Sequence, residues 1–214
     1  RLRDEGFTAA FCDEAGLCPE SIVFGLLRPE MRHLYMVGDL NQLGAITSEP
    51  GVGLHHQRSM MERLVSLGVA STTLTVQRRM HPEICEYPSK AFYEGRLVTH
   101  EDCVGDPSTL PLPYGFVDLR GEARSVGTSV ENVAEAQRAV ALAKELQAAF
   151  PRTVLLTPYA AQLKRLRAAQ SGIEAHTVDS FQGKESDAVV LSLVRTPAMG
   201  PGFWADARRL VVAL

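Results

Sequence analysis

TVLLTPYAAQLKRLRAAQSGIEAHTVDSFQGKESDAVVLSLVR, residues 153–195, decides the fold. Thr153 to Leu156 is apolar and short, as a strand should be, and Ala160 to Ala169 follows as a helix. Its Leu163 and Leu166 face inward, while Lys164, Arg165 and Arg167 face outward. Ile173 to Val178 reads as a second strand, and Ala188 to Val194 as a buried third. Strands that alternate with helices imply βαβ units and a parallel sheet, hence an α/β fold with helices on both faces.

The same grammar extends outward. Downstream, Leu210 to Leu214 begins another strand or helix. Upstream, Asn132 to Phe150 is a helix with Val133, Ala136, Val140, Ala143 and Leu146 on one side, closed by Pro151. Thr128-x-x-Glu131 reads as its capping box. Residues 99–128, rich in Gly, Pro, Ser and Asp, read as loop around one short strand, Phe116 to Leu119. Ser59 to Leu67 is a helix with Met60, Leu64 and Leu67 on one face, stopped by Gly68. Phe7 to Cys12 and His33 to Val37 are apolar runs that suit buried parallel strands, with Cys12 in the core and a short helix over Pro19 to Leu27 between them. Both runs end in acids.

Composition narrows the function classes. The chain has 214 residues, 45% of them apolar and 22% charged, as in an ordinary globular protein. No run of about 18 apolar residues is present, so no membrane span is expected. The charged opening, Arg1 to Gly6, does not resemble a signal peptide, and an intracellular protein, cytoplasmic or nuclear, is the expectation. Cys12, Cys18, Cys85 and Cys103 form no C-x-x-C pair, which argues against zinc and for reduced thiols. Net charge is −3 but uneven: residues 151–214 hold 8 basic against 5 acidic side chains. That balance permits a nucleic-acid groove without demanding one.

Four groups of residues carry chemistry. Asp13-Glu14-Ala15 closes the first strand. There an Asp suits Mg²⁺ and a neighbouring Glu suits activation of water, although adjacent acids equally describe a solvated strand end. Gly38-Asp39-x-x-Gln42 closes the second strand and suits a γ-phosphate sensor or a common turn. Gln77-Arg78-Arg79-Met80-His81-Pro82 places two guanidiniums before a helix-starting corner, for a phosphate or for solvent. Val178 to Glu185 sets Gly183 between Gln182 and a charged pair, which permits close backbone approach to an anion.

Read in order, DEA, GDxxQL, SMMERL, QxRMHP, AFYEGRL, TPYxAQ, VDSFQGxExDxVxLSxVR and FWxDxRRLxVAL resemble the motifs of up-frameshift-like superfamily 1 helicases, from about Phe7 to Leu214. The resemblance implies two RecA-like domains with ATP between them: residues 1–75 as the C-terminal part of the first, and residues 76–214 as a second, nearly complete one. It implies that Asp13 holds Mg²⁺, Glu14 activates the hydrolytic water, and Gln42, beside Asp39, couples the γ-phosphate to domain closure. It makes Arg79 the arginine finger and sets Gly183 and Glu185 near the γ-phosphate and ribose. Thr157, Pro158, Tyr159, Thr177 and Ser180 fall in motifs that line a single-stranded RNA or DNA track. An aromatic such as Tyr159 that stacks on a base adds roughly 1–3 kcal/mol.

The chain departs from the family pattern in several places. It carries no G-x-x-x-x-G-K-[ST] loop, and the last motif stops at Val211-Val212-Ala213-Leu214. Arg78 stands where the family has an adenine-stacking tyrosine, and its guanidinium plane can also stack there to bind the nucleotide; Gly16-Leu17 and Gly44-Ala45 replace the usual residues after DEA and GDxxQL. The resemblance therefore implies an internal segment of an ATP-dependent helicase, inactive by itself, whose protein partners would bind through flanking regions. The alternative is a degenerate helicase-like module that binds nucleic acid or protein without catalysis.

Overall fold

The computed structural model describes residues 6–45, 56–103, 113–169 and 171–214. The remainder, including residues 104–112 of the loop read over 99–128, lies outside them. The chain divides into two compact units, Arg1–Thr73 and Leu74–Leu214.

In the first unit β1 (Ala9–Cys12) and β2 (His33–Met36) pair in parallel, Ala9 opposite His33 and Cys12 opposite Met36. The intervening α1 (Glu20–Leu26) buries Val23. α2 (Met60–Ser66) begins at Ser59, whose Oγ accepts the Glu62 amide at 3.0 Å and caps the helix. Glu20 joins the two helices by accepting from Arg58 Nε at 2.8 Å and Arg63 Nη1 at 3.0 Å. Burial pushes the Glu20 carboxyl up, but the two guanidiniums outweigh it and hold the group below its usual range. The expected full burial of the strands is not met. Exposure alternates along both, with Phe11 77% and Tyr35 47% exposed, and Cys12 is only half-buried. Among the described residues each strand has one partner, and the Phe11 and Tyr35 rings cover each other by stacking at 4.6 Å.

In the second unit β3 (Val76–Gln77) pairs in parallel with β4 (Val98–Thr99), and α3 (Pro82–Phe92) lies between them in sequence. An antiparallel hairpin, β5 (Ala123–Val126) and β6 (Ser129–Asn132), leads into α4 (Val133–Gln147). Then come β7 (Thr153–Thr157), α5 (Ala160–Ala168), β8 (Glu174–Thr177), α6 (Val178–Phe181) and β9 (Ala188–Leu191). The sheet order is β8-β7-β9, all parallel. β7 is buried throughout because both its faces are covered. Leu155 packs with Ala139, Val140 and Ala143 of α4 and Leu166 of α5, while Val154 and Leu156 pack with Phe181 of α6. Burying each such leucine contributes roughly 1.5–3 kcal/mol. This is a RecA-like α/β arrangement.

Two sequence expectations are corrected, and the choice between strand and helix at the chain end is decided. Phe116 to Leu119 is not a strand; the strand lies at Ala123–Val126. Thr128-x-x-Glu131 does not cap α4. Asn132 does, its Oδ1 accepting the Glu135 amide at 3.1 Å, and residues 129–132 are strand. The chain end resolves as a helix, α7 (Ala207–Ala213), capped by Asp206. Among the described residues no helix is long and apolar enough to cross a membrane.

Candidate functional site

The first unit places its acids at the C-terminal tips of two adjacent parallel strands, where open α/β sheets bind ligands. Past β1 the chain turns at Glu14, which adopts the left-handed conformation at φ 48° and ψ 43°. A non-glycine residue there stores strain, and such strain gathers at functional sites. The turn is held from both sides. Asp13 Oδ1 accepts the Glu14 amide at 2.9 Å, and the Ala15 amide reaches Val37 O past the tip of β2 at 2.8 Å. Ala15 is fully buried, while Asp13 and Glu14 are exposed. Gly38 lies against this turn: a Cβ there would stand 2.8 Å from Ala15 N.

The neighbouring tip is equally ordered. Asp39 Oδ1 accepts the Asn41 amide at 2.9 Å and Oδ2 accepts Gln42 Nε2 at 3.1 Å. The Gln42 side chain is thereby tied to the loop that carries it. Asp13 and Glu14 thus follow β1, and Asp39 and Gln42 follow β2, on loops beyond the tips of two paired strands. Hard carboxylate oxygens at a strand tip fit Mg²⁺, and the exposed Asp13, whose Oδ1 accepts a backbone amide, could hold it. A bound Mg²⁺ supplies charge neutralisation for phosphate oxygens.

In the second unit Arg79 meets Glu185 across 106 positions of sequence, Nε to Oε2 at 3.3 Å, both side chains more than half exposed. Glu185 follows Gly183, whose φ of 76° suits glycine and turns the chain after α6. Arg78 points instead to Asp102, Nη1 to Oδ2 at 3.4 Å, beside His100. The structure therefore groups Arg79, Glu185 and Gly183 and turns the Arg78 guanidinium elsewhere.

The residues read as a nucleic-acid track lie at or just beyond the tips of β7 and β8. Thr177 Oγ1 caps α6 by accepting the Ser180 amide at 3.3 Å. Ser180 is exposed, and Pro158 and Tyr159 are half-buried. The Tyr159 ring packs at 6.2 Å, edge-on, against Phe203, and among the described residues its enclosed hydroxyl has no hydrogen-bond partner. Thr157 is wholly buried.

Sequence reasoning passed over three residues that hold these tips. Gln77 binds the Arg79 turn through its side-chain amide. Gln162, fully buried, spans Asn132 and Ser192: it accepts the Asn132 amide at 2.9 Å and donates to Asn132 O at 3.0 Å and Ser192 Oγ at 2.9 Å. Glu135 Oε1 accepts Ser192 Oγ at 2.8 Å and the Val194 amide at 2.9 Å, holding Val194 at φ 70°. Gln77 and Gln162 lie within motifs already singled out; Glu135 stands three residues after Asn132, a capping-box spacing that could have found it.

The family described as an AAA domain matches residues 56–214. The chain is 33% identical to the helicase sen1 of Schizosaccharomyces pombe, over 97% of this chain and 14% of that protein. It is 34% identical to regulator of nonsense transcripts 1 of Dictyostelium discoideum, over 100% of this chain and 18% of that protein. It is 32% identical to an uncharacterized ATP-dependent helicase of Methanocaldococcus jannaschii, over 86% of this chain and 30% of that protein. The chain spans less than a fifth of the length of the first two relatives.

Proposed function

Because this chain belongs to the AAA-domain family of up-frameshift-like superfamily 1 helicases, we propose that it carries catalytic parts of an ATP-dependent translocase on single-stranded RNA or DNA. One observation above all supports the reading: adjacent parallel strand tips carry Asp13-Glu14 and Asp39 with Gln42, the first pair on a strained turn. Asp13 holds Mg²⁺ and Glu14 orients and deprotonates the attacking water. Gln42, steadied by Asp39, senses the γ-phosphate. Arg79 neutralises charge that develops on the transferred group, a contribution worth roughly 10³–10⁵ in rate. Gly183 gives the backbone room near the phosphates, and Glu185 exchanges Arg79 for ribose hydroxyls. Pro158, Tyr159, Thr177 and Ser180 meet the strand. Thr157, being buried, supports that surface from beneath.

The test is ATP turnover by the full-length protein with single-stranded RNA or DNA, comparing wild type with Glu14→Gln. Turnover should fall by at least roughly 10²-fold while MgATP still binds. Wild-type turnover in the variant would overturn the assignment of Glu14. One observation favours the second reading, a binding module without catalysis: Arg78 stands at the adenine-stacking position and is engaged with Asp102. Turnover stimulated by single strands excludes that reading.

A further inference from the structure

The side chain of Gln77 makes four hydrogen bonds, and three of them fall on the backbone of one short turn. Oε1 accepts the amides of Arg79 and Met80, each at 2.8 Å. Nε2 donates to Met80 O at 2.7 Å and to Thr99 Oγ1 at 2.6 Å. The amide is oriented by its partners' chemistry, since two N–H groups face the oxygen and a carbonyl faces the nitrogen. Its own backbone is fixed by β3, Gln77 O accepting the His100 amide at 2.9 Å. Pro82 then starts α3 directly after the turn. The residues between β3 and α3 are therefore set by one side chain anchored to β4 through Thr99.

We infer that Gln77 is a positioning residue for Arg79: its amide fixes the backbone from which the Arg79 guanidinium projects, with Thr99 as the anchor. This rests on the reading of Arg79 as an arginine finger. Such a group works only when its charge sits at the right place, and a misplacement of about 1 Å can cost roughly 10²-fold in rate. The Arg79 side chain is 56% exposed and, among the described residues, Glu185 engages its guanidinium, so its aim depends largely on the backbone below it.

The experiment is a double-mutant cycle in ATP turnover by the full-length protein, with Gln77→Glu, Arg79→Ala and both together. Gln77→Glu keeps the shape and the two acceptor contacts but sets a carboxylate oxygen against Met80 O. We expect kcat to fall roughly 10- to 100-fold with KM for ATP within about twofold, and the double variant to be no slower than Arg79→Ala alone. Single-strand affinity without nucleotide should not change. If the two losses multiply, Gln77 acts independently of Arg79 and the proposal fails. If Arg79→Ala is slow while Gln77→Glu matches wild type, the clamp fails and the finger stands; if Arg79→Ala itself matches wild type, the finger assignment fails first. Should Gln77→Glu not fold, Thr99→Val removes only the anchor and runs the same cycle. A loss of several-fold that vanishes in the Arg79→Ala background supports the clamp, and a loss that persists there overturns it.

Discussion

Gly38 has room for a hydrogen atom and nothing larger on the side that faces the acidic turn. A methyl group there would meet Ala15 N at 2.8 Å and Gly16 N at 3.1 Å, both backbone atoms that cannot swing aside. Gly38→Ala must therefore push the turn off β2 and break the contact between Ala15 N and Val37 O. Forcing a methyl into a filled space costs about 1–3 kcal/mol. The expected outcome is a less stable first unit and ATP turnover lowered together with it, read by chemical denaturation and by a turnover assay on the full-length protein. Wild-type values in both would show that the turn tolerates displacement. In the sequence Gly38-Asp39 was legible only as a γ-phosphate sensor or a common turn. Nothing local tells that the glycine is demanded by a turn some twenty residues earlier, or that Glu14 sits in the left-handed region.

At the scale of elements, the β5–β6 hairpin is fastened to α5 by one carboxylate. Glu131, almost fully buried, receives Arg165 Nε at 2.7 Å and a second bond from Arg165 Nη2 at 3.0 Å, with Arg124 Nε at 2.7 Å from the hairpin. Arg165, and then Arg124, hold its carboxyl down to about 2 against the opposing effect of burial. An unfolded glutamate titrates near about 4.3. A group whose folded value is depressed stabilises above the unfolded value and loses that contribution as pH falls toward the folded one. Glu131→Gln should therefore melt roughly 5 °C below wild type near pH 6. The gap should narrow steadily as the pH is lowered from about 4.5 toward about 2. A gap that is constant over that range would show that shape, not charge, holds the hairpin. This hairpin is also where the sequence misled. Glu131 has the spacing of a capping residue, but the guanidiniums of Arg124, opposite it in the hairpin, and of Arg165 on α5 draw it inward, and Asn132 one position later takes the cap. The long α4 was legible because its buried face, Ala136, Ala139, Val140 and Ala143, repeats at helical spacing.

Over the whole molecule, the contrast is between two sheets of different completeness. In the second unit β7 has a parallel partner on each edge and a helix layer on each face, and its short apolar run was readable as a strand. In the first unit the runs over Phe7 to Cys12 and His33 to Val37 have the same composition, yet Phe11, Tyr35 and Val37 stand exposed. Composition reports what a strand is able to bury; the cover itself must come from other elements, and that is not written in the strand. The strand tips were legible all the same, because the acids follow the apolar runs whatever covers them. A two-stranded sheet with one open face, as β1 and β2 form among the described residues, is marginal in water, whereas strands paired on both edges and packed on both faces open only with global unfolding. Amide hydrogen exchange on this 214-residue chain should show the difference. The Ala10 to Cys12 and Leu34 to Met36 amides should exchange at least roughly a hundred-fold faster than those of Val154 to Leu156. Equal protection in the two sheets would mean that the open face of β1 and β2 is covered in solution. It would also mean that the acidic turn beyond β1 rests on a firmer base than its own two strands provide.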